Sequence, residues 1–137
     1  MLLCCVSIPA LALQLVLRAH PEWSSDPVVV VEDDRPLASI LWCNRVARSH
    51  RIRRGMSFAQ ARALSAVLHV QVVPEQAIEA AIDALFELLL SFSPSIEPSL
   101  EQPGLFWLDP RGLHGLFGEL ERWAARVHDA LHAERYV

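Results

Sequence analysis

A chain of 137 residues with 53% hydrophobic side chains is long enough to bury one compact core. Its formal net charge of −4 excludes attraction of the whole molecule to phosphate, which needs a positive excess. Cys4, Cys5 and Cys43 have neither paired metal spacing nor the even count of a disulfide framework, so reduced, buried thiols are expected. The apolar opening over residues 1–13 has the composition of a secretory leader but lacks a basic start.

In chain order, residues 2–8 form an apolar run ended by Pro9, which predicts a fully buried strand. Residues 10–20 place Leu11 and Leu15 on one stripe and Leu13, Val16 and Leu17 on the next, a helix stopped by Pro21. Four successive valines after Pro27 predict a strand, and residues 37–42 return as its hairpin partner across the polar turn 32–36. Glu32, Asp33 and Asp34 in that turn read as solvated turn formers rather than metal ligands.

Residues 44–50 and 57–68 are helical in composition, and Ser57 with Gln60 predicts a capping box. Gly55 between them permits a sharp turn. Residues 68–73 alternate as a strand with one wetter face. From Pro74, the positions Ile78, Ala81, Ile82, Leu85, Leu89 and Phe92 recur at helical intervals. The stretch 92–112 then reads as a strand pair crossing a turn at Gln102, Pro103 and Gly104 and closing at Pro110 to Gly112. If Trp107 is core, Trp107→Ala should cost about 3 kcal/mol or more.

A short helical turn at Leu113, Leu116 and Phe117 leads to a last helix with Leu120, Trp123, Ala124, Val127 and Leu131 on one face. His128 and His132 have the spacing of helical metal ligands but no accompanying Glu, which favours a structural or surface role. The whole order is β, α, β, β, α, α, β, α, β, β, α, a mixed α/β (α+β) chain without internal repeat. A first strand that belongs to the core predicts a cytoplasmic protein with no membrane partner.

Charge is unevenly placed. Between Arg35 and Pro74 lie seven arginines (35, 45, 48, 51, 53, 54 and 62) and no Asp or Glu, a basic island within an acidic chain. Guanidinium groups in such a cluster suit phosphate contacts without sequence preference, and they equally suit a solvated helix face.

Three segments together resemble the amino-terminal part of the Y-family (DinB/UmuC-like) translesion DNA polymerases. Asn44-Arg-Val-Ala-Arg48 with Arg53-Arg-Gly-Met-Ser57 is similar to the fingers segment, residues 92–98 to the palm segment before the family's Ser-x-Asp-Glu motif, and residues 105–109 to the strand after it. The resemblance implies a single UmuC-like domain over 1–137, with a partial palm sheet at about 1–20 and 75–137 and a small helical fingers insertion at about 21–74. It also implies a longer protein, with a further palm strand, thumb and DNA-gripping domain beyond Val137.

In that family, carboxylates from the end of the first strand and from the Ser-x-Asp-Glu motif hold two divalent metals for phosphoryl transfer. Here Ser7 and Pro9 stand at the strand-end positions, Glu101 replaces the Asp and Gln102 the Glu, and Pro103 and Gly104 are extra. Asp109 matches a non-ligating acid. Arg45 occupies the position of a triphosphate-binding Tyr, and Arg48 keeps a triphosphate-binding Arg; with Arg53 and Arg54 they are the expected phosphate-binding residues.

The chain is most similar to the catalytically degenerate ImuB-type mutasome subunit. That resemblance implies a non-catalytic, cofactor-free protein that binds DNA and recruits the sliding clamp, a RecA-like accessory protein and an error-prone replicative-type polymerase. Two other readings stand beside it: an active nucleotidyltransferase using Glu101, Asp109 and Glu97 with magnesium, and an inert truncated remnant.

Overall fold

The mixed α/β fold expected from the order of elements is present in the computed structural model, which describes residues 3–109 and 120–137. The turn expected at Leu113 to Phe117 and the closing break at Pro110 to Gly112 lie outside those residues. The chain divides into two compact units: Met1–Leu11 with Gln76–Val137, and Ala12–Glu75.

In the first unit, β1 (Cys4–Ser7), β6 (Leu105–Leu108) and β5 (Ile96–Pro98) form an antiparallel sheet in the order β1-β6-β5. Cys4 pairs with Leu108 and Ser7 with Leu105, while Ile96 pairs with Leu108 and Pro98 with Phe106. Strand side chains alternate between faces. Phe106 and Leu108 are buried, whereas Trp107, registered with Cys5 and Glu97, is 44% exposed. Phe106 and Leu108 are therefore the core residues of this strand, and the expected role of Trp107 is corrected.

The same alternation corrects β1, which buries no residue fully and exposes Cys5 and Ser7. β1 ends the described sheet and has a strand neighbour on one side only, so an apolar sequence is not enough to enclose it. Cys5 is likewise an exposed thiol, and only Cys43 is buried as expected.

α4 (Glu75–Leu90) buries Ala81, Leu85 and Leu89, and α5 (Leu120–Ala133) buries Trp123, Val127 and Leu131. Leu120 and Ala124, expected on that face, are exposed. Trp123 also donates its indole N–H to the Phe92 carbonyl at 2.8 Å, which meets the polar need of a buried indole.

The second unit contains α1 (Leu11–Ala19) after its first residue, a 3-10 turn at Pro21–Trp23, and a sheet of β2 (Val28–Val31), β3 (Ile40–Cys43) and β4 (His69–Gln71) in the order β3-β2-β4. β2 is central and all four of its valines are buried. β3 is antiparallel to it and β4 parallel. β3 starts three residues later than the composition suggested, because Leu37 is 85% exposed and the Ala38 N–H bonds back to Arg35 in a turn.

Between β3 and β4 run α2 (Arg45–Ser49) and α3 (Phe58–Leu64). Both bonds of the Ser57–Gln60 capping box are formed. Val29, Val31, Ile40, Cys43, Ala47, Ile52, Ala61 and Leu68 make up the core. At its margin Trp23 is stacked between His20 and His69, with ring centroids at 3.8 and 4.2 Å, and His69 meets Asp26 at 3.0 Å. This clasp ties the 3-10 turn to β4.

Candidate nucleic-acid interface and candidate metal centre

The antiparallel register of β1, β6 and β5 brings the end of β1 and the hairpin loop 99–104 to the same end of the sheet. Ser7 is registered with Leu105, directly after that loop. The next residue, Ile8, donates its N–H to the Gly104 carbonyl at 2.8 Å. Ser7 and Pro9 thus flank the residue that binds the loop carrying Glu101 and Gln102.

Within the loop, the Ser99 hydroxyl accepts from the Glu101 and Gln102 N–H groups at 3.3 and 3.1 Å, leaving both side chains exposed. Gly104 is buried with φ of +92°, and a Cβ there would come 2.5 Å from the Ile8 carbonyl oxygen. Gly104 therefore lets the loop backbone lie directly on the backbone of the β1 terminus.

The donors gathered at this end are a hydroxyl, one carboxylate and a carboxamide, and Pro9 offers no side-chain donor at all. Such a set does not fit a pair of hard divalent cations, which need several carboxylate oxygens. Asp109 cannot complete it. It lies past the other end of β6, and four residues at about 3.3 Å each put it roughly 13 Å from Leu105. Its N–H bonds the Ser95 carbonyl at 3.1 Å, and its own carbonyl accepts from the buried Ser93 hydroxyl at 3.0 Å. Glu97 and Asp109 border a shallow hollow with Trp107, away from the loop.

Among the described residues, no three His, Cys, Asp or Glu side chains are placed to hold a metal ion. Asp33 of the acidic turn is paired with Arg35, whose guanidinium holds its carboxyl below the usual range. His128 and His132 are exposed and stacked on each other at 5.9 Å. A cavity of about 370 Å³ runs beside β1, with Trp123, Val127, Leu131 and Tyr136 among its lining residues and, of the described residues, no Asp or Glu.

The four arginines expected to bind phosphate lie on the surface of the second unit, around the join of β3 and α2. They differ in how they are held. Arg48 donates to the Cys43 carbonyl at 2.8 Å, and Arg53 to the carbonyls of Arg48 and Ile52 at 2.8 and 3.0 Å. Arg54 donates through Nε to Leu41 at 2.7 Å, and its guanidinium lies 4.0 Å over the Trp42 ring. Arg45 makes no hydrogen bond or ion pair among the described residues. A guanidinium has five N–H donors, so each of the other three keeps outward donors after these bonds.

The residue that organises this surface is Asn44, whose structural role residue spacing alone did not disclose. Its Oδ1 accepts from the N–H groups of Val28 at 3.0 Å and Ala47 at 2.9 Å, and its Nδ2 donates to the Asp26 carbonyl at 2.8 Å. It thus caps α2 while fastening β2, and so fixes where Arg45 and Arg48 emerge. An Asn at the head of a segment read as helical was the one available signal.

The family model described as impB/mucB/samB matches residues 7–136. The insertion ternary complex of Dbh DNA polymerase superposes with a TM-score of 0.76 at 20% identity, and covers 100% of this chain and 41% of that one. The post-insertion binary complex of Dbh DNA polymerase gives 0.80 at 18%, covering 100% and 40%. DinB from Sulfolobus solfataricus gives 0.77 at 18%, again covering 100% and 40%. No curated protein sequence matches the chain. The chain spans about two fifths of the length of those solved structures. No helix among the described residues is long and apolar enough to cross a membrane. With a family match from Ser7 to Tyr136 on a fold shared with Y-family DNA polymerases, this chain belongs to the impB/mucB/samB family.

Proposed function

We propose that this chain is a catalytically silent Y-family domain of the ImuB type, which binds DNA and serves translesion synthesis by recruitment rather than by phosphoryl transfer. The observation that carries the reading is the meeting of the β1 terminus with loop 99–104. The two segments are joined backbone to backbone, and of Ser7, Pro9, Glu101 and Gln102 there only Glu101 carries a carboxylate. A hydroxyl and an amide do not offset the charge of two metals and a triphosphate, so the transition state of nucleotide transfer is left without its main electrostatic support.

DNA binding is supported by the surface arginines and by the complexes named for the Dbh polymerase relatives. Recruitment of the sliding clamp, a RecA-like accessory protein and an error-prone replicative-type polymerase belongs to the same proposal, as does a cytoplasmic location. It is tested with the purified protein and a primer–template. We expect binding that weakens with salt, a slope lowered by about two when Arg45 and Arg48 are both changed to Ala, and no primer extension with Mg²⁺ or Mn²⁺. Extension by the unaltered protein would sink the proposal.

A further inference from the structure

Arg54 stands apart from the other arginines because it is held both by a main-chain carbonyl and by an aromatic ring. Its Nε is bonded to the Leu41 carbonyl at 2.7 Å, and its guanidinium Cζ lies 4.0 Å from the centroid of the Trp42 ring. The loop that carries it is itself paired to β3: Ile40 donates to the Met56 carbonyl at 2.8 Å, and Gly55 donates to the Ile40 carbonyl at 2.9 Å. Gly55, at φ of +89°, makes the turn that allows this pairing. The result is a cation held on both its edge and one face by a sheet strand, and the residue is exposed.

Beside it Leu41 is 41% exposed. Three residues beyond Trp42 comes Arg45, exposed and without a partner among the described residues. No Asp or Glu occurs in the sequence from Arg35 to Pro74.

We propose that Trp42 and Arg54 form a stacking platform for an unpaired nucleobase of a single strand, with Arg45 taking a phosphate of the same strand. This inference rests on the DNA-binding reading above. A guanidinium backed by an indole offers its free face to any base, because every base has a π face and stacking does not depend on edge hydrogen bonds. A surface ion pair would need no such planarity. The ligand is a strand rather than a free nucleotide, because one stacked base adds only modest affinity and the adjoining phosphate contact supplies the rest.

The test compares a fluorescently labelled oligodeoxyadenylate with an abasic oligomer of the same length, both binding to the full chain. The base-bearing strand should bind about tenfold or more tightly. Arg54→Lys keeps the charge and removes the guanidinium plane, so the ratio of the two affinities should fall to about one, whatever the change in abasic binding. Arg45→Ala should weaken both strands by the same factor. Equal affinity of the unaltered chain for the two strands would overturn the platform and leave general DNA binding standing, as would a base preference that survives Arg54→Lys. Binding to neither strand would overturn the DNA-binding reading and the platform with it.

Discussion

Two regions of this molecule hold their loops with a different balance of main-chain and side-chain bonds. At the sheet end where β1 meets loop 99–104, the join is main chain to main chain, Ile8 N–H to Gly104 carbonyl, and the side chains of Ser7, Glu101 and Gln102 are exposed. Around the join of β3 and α2, side chains add to the main-chain pairing of Ile40 with Gly55 and Met56: Asn44 bonds three main-chain groups, and Arg48, Arg53 and Arg54 donate to carbonyls. A join made by backbone survives replacement of the residues around it. The exposed side chains of the first region are therefore free to vary without loosening the join, whereas in the second region Asn44 is itself part of it.

The largest effect tests the sheet that supports the first region. Phe106 is fully buried on β6, so Phe106→Ala should lower unfolding free energy by about 4 kcal/mol. Trp107→Ala, on the open face, should cost about 1 kcal/mol or less. Chemical denaturation of both variants checks this, and a reversal of the order would mean that the register is wrong.

Next comes the backbone join itself. Gly104→Ala places a Cβ against the Ile8 carbonyl in a left-handed conformation, and should cost about 3 kcal/mol. Glu101→Ala and Gln102→Ala, in the same loop but exposed, should fall within about 0.5 kcal/mol of the parent. If all three changes were equally mild, the loop would not be fastened to β1 as described.

In the second region the matching change is Asn44→Ala. It strands the N–H groups of Val28 and Ala47 and the carbonyl of Asp26, and should cost about 2 kcal/mol. Hydrogen exchange of the Val28 and Ala47 amides reports the loss directly: both should exchange faster in the variant, while the Ile8 amide stays protected.

How much of this was legible in the sequence follows the same division. Features set by neighbours along the chain were readable. The Ser57–Gln60 capping box is a spacing, the four valines of β2 are a run, and the stripe of α4 is a period. Features set by partners far along the chain were not. The apolar run at β1 does not reveal that it sits at a sheet edge, and the bulk of Trp107 does not reveal that Phe106 is the inward neighbour.

Asn44 falls inside the segment 44–50 read as helical, whereas it caps α2 from outside, and its bond to Asp26 spans 18 positions and has no local signature. The stack of Arg54 on Trp42 is silent for the same reason. The gathering of Ser7, Pro9, Glu101 and Gln102 at one end could not be found by spacing either. It was suggested by likeness to a family, and the strand register gives it a physical basis.

The smallest expected effect sharpens the contrast between the two ends of the β1–β6 ladder. Cys4 is registered with Leu108, next to Asp109, at the end away from the loop. Burial pushes its thiol up from the ordinary value, and repulsion from the Asp109 carboxylate adds to this. The folded chain therefore holds this proton more tightly than the unfolded chain. Stability from this group is intact below the ordinary thiol range and declines as pH rises through it. In the native protein, alkylation at mildly alkaline pH should label Cys4 more slowly than the exposed Cys5, since only the thiolate reacts. Asp109→Asn removes the smaller cause and keeps the backbone bonds to Ser93 and Ser95, so Cys4 labelling should quicken modestly while Cys5 stays unchanged. A Cys4 rate indifferent to that substitution would mean the carboxylate is turned away from β1.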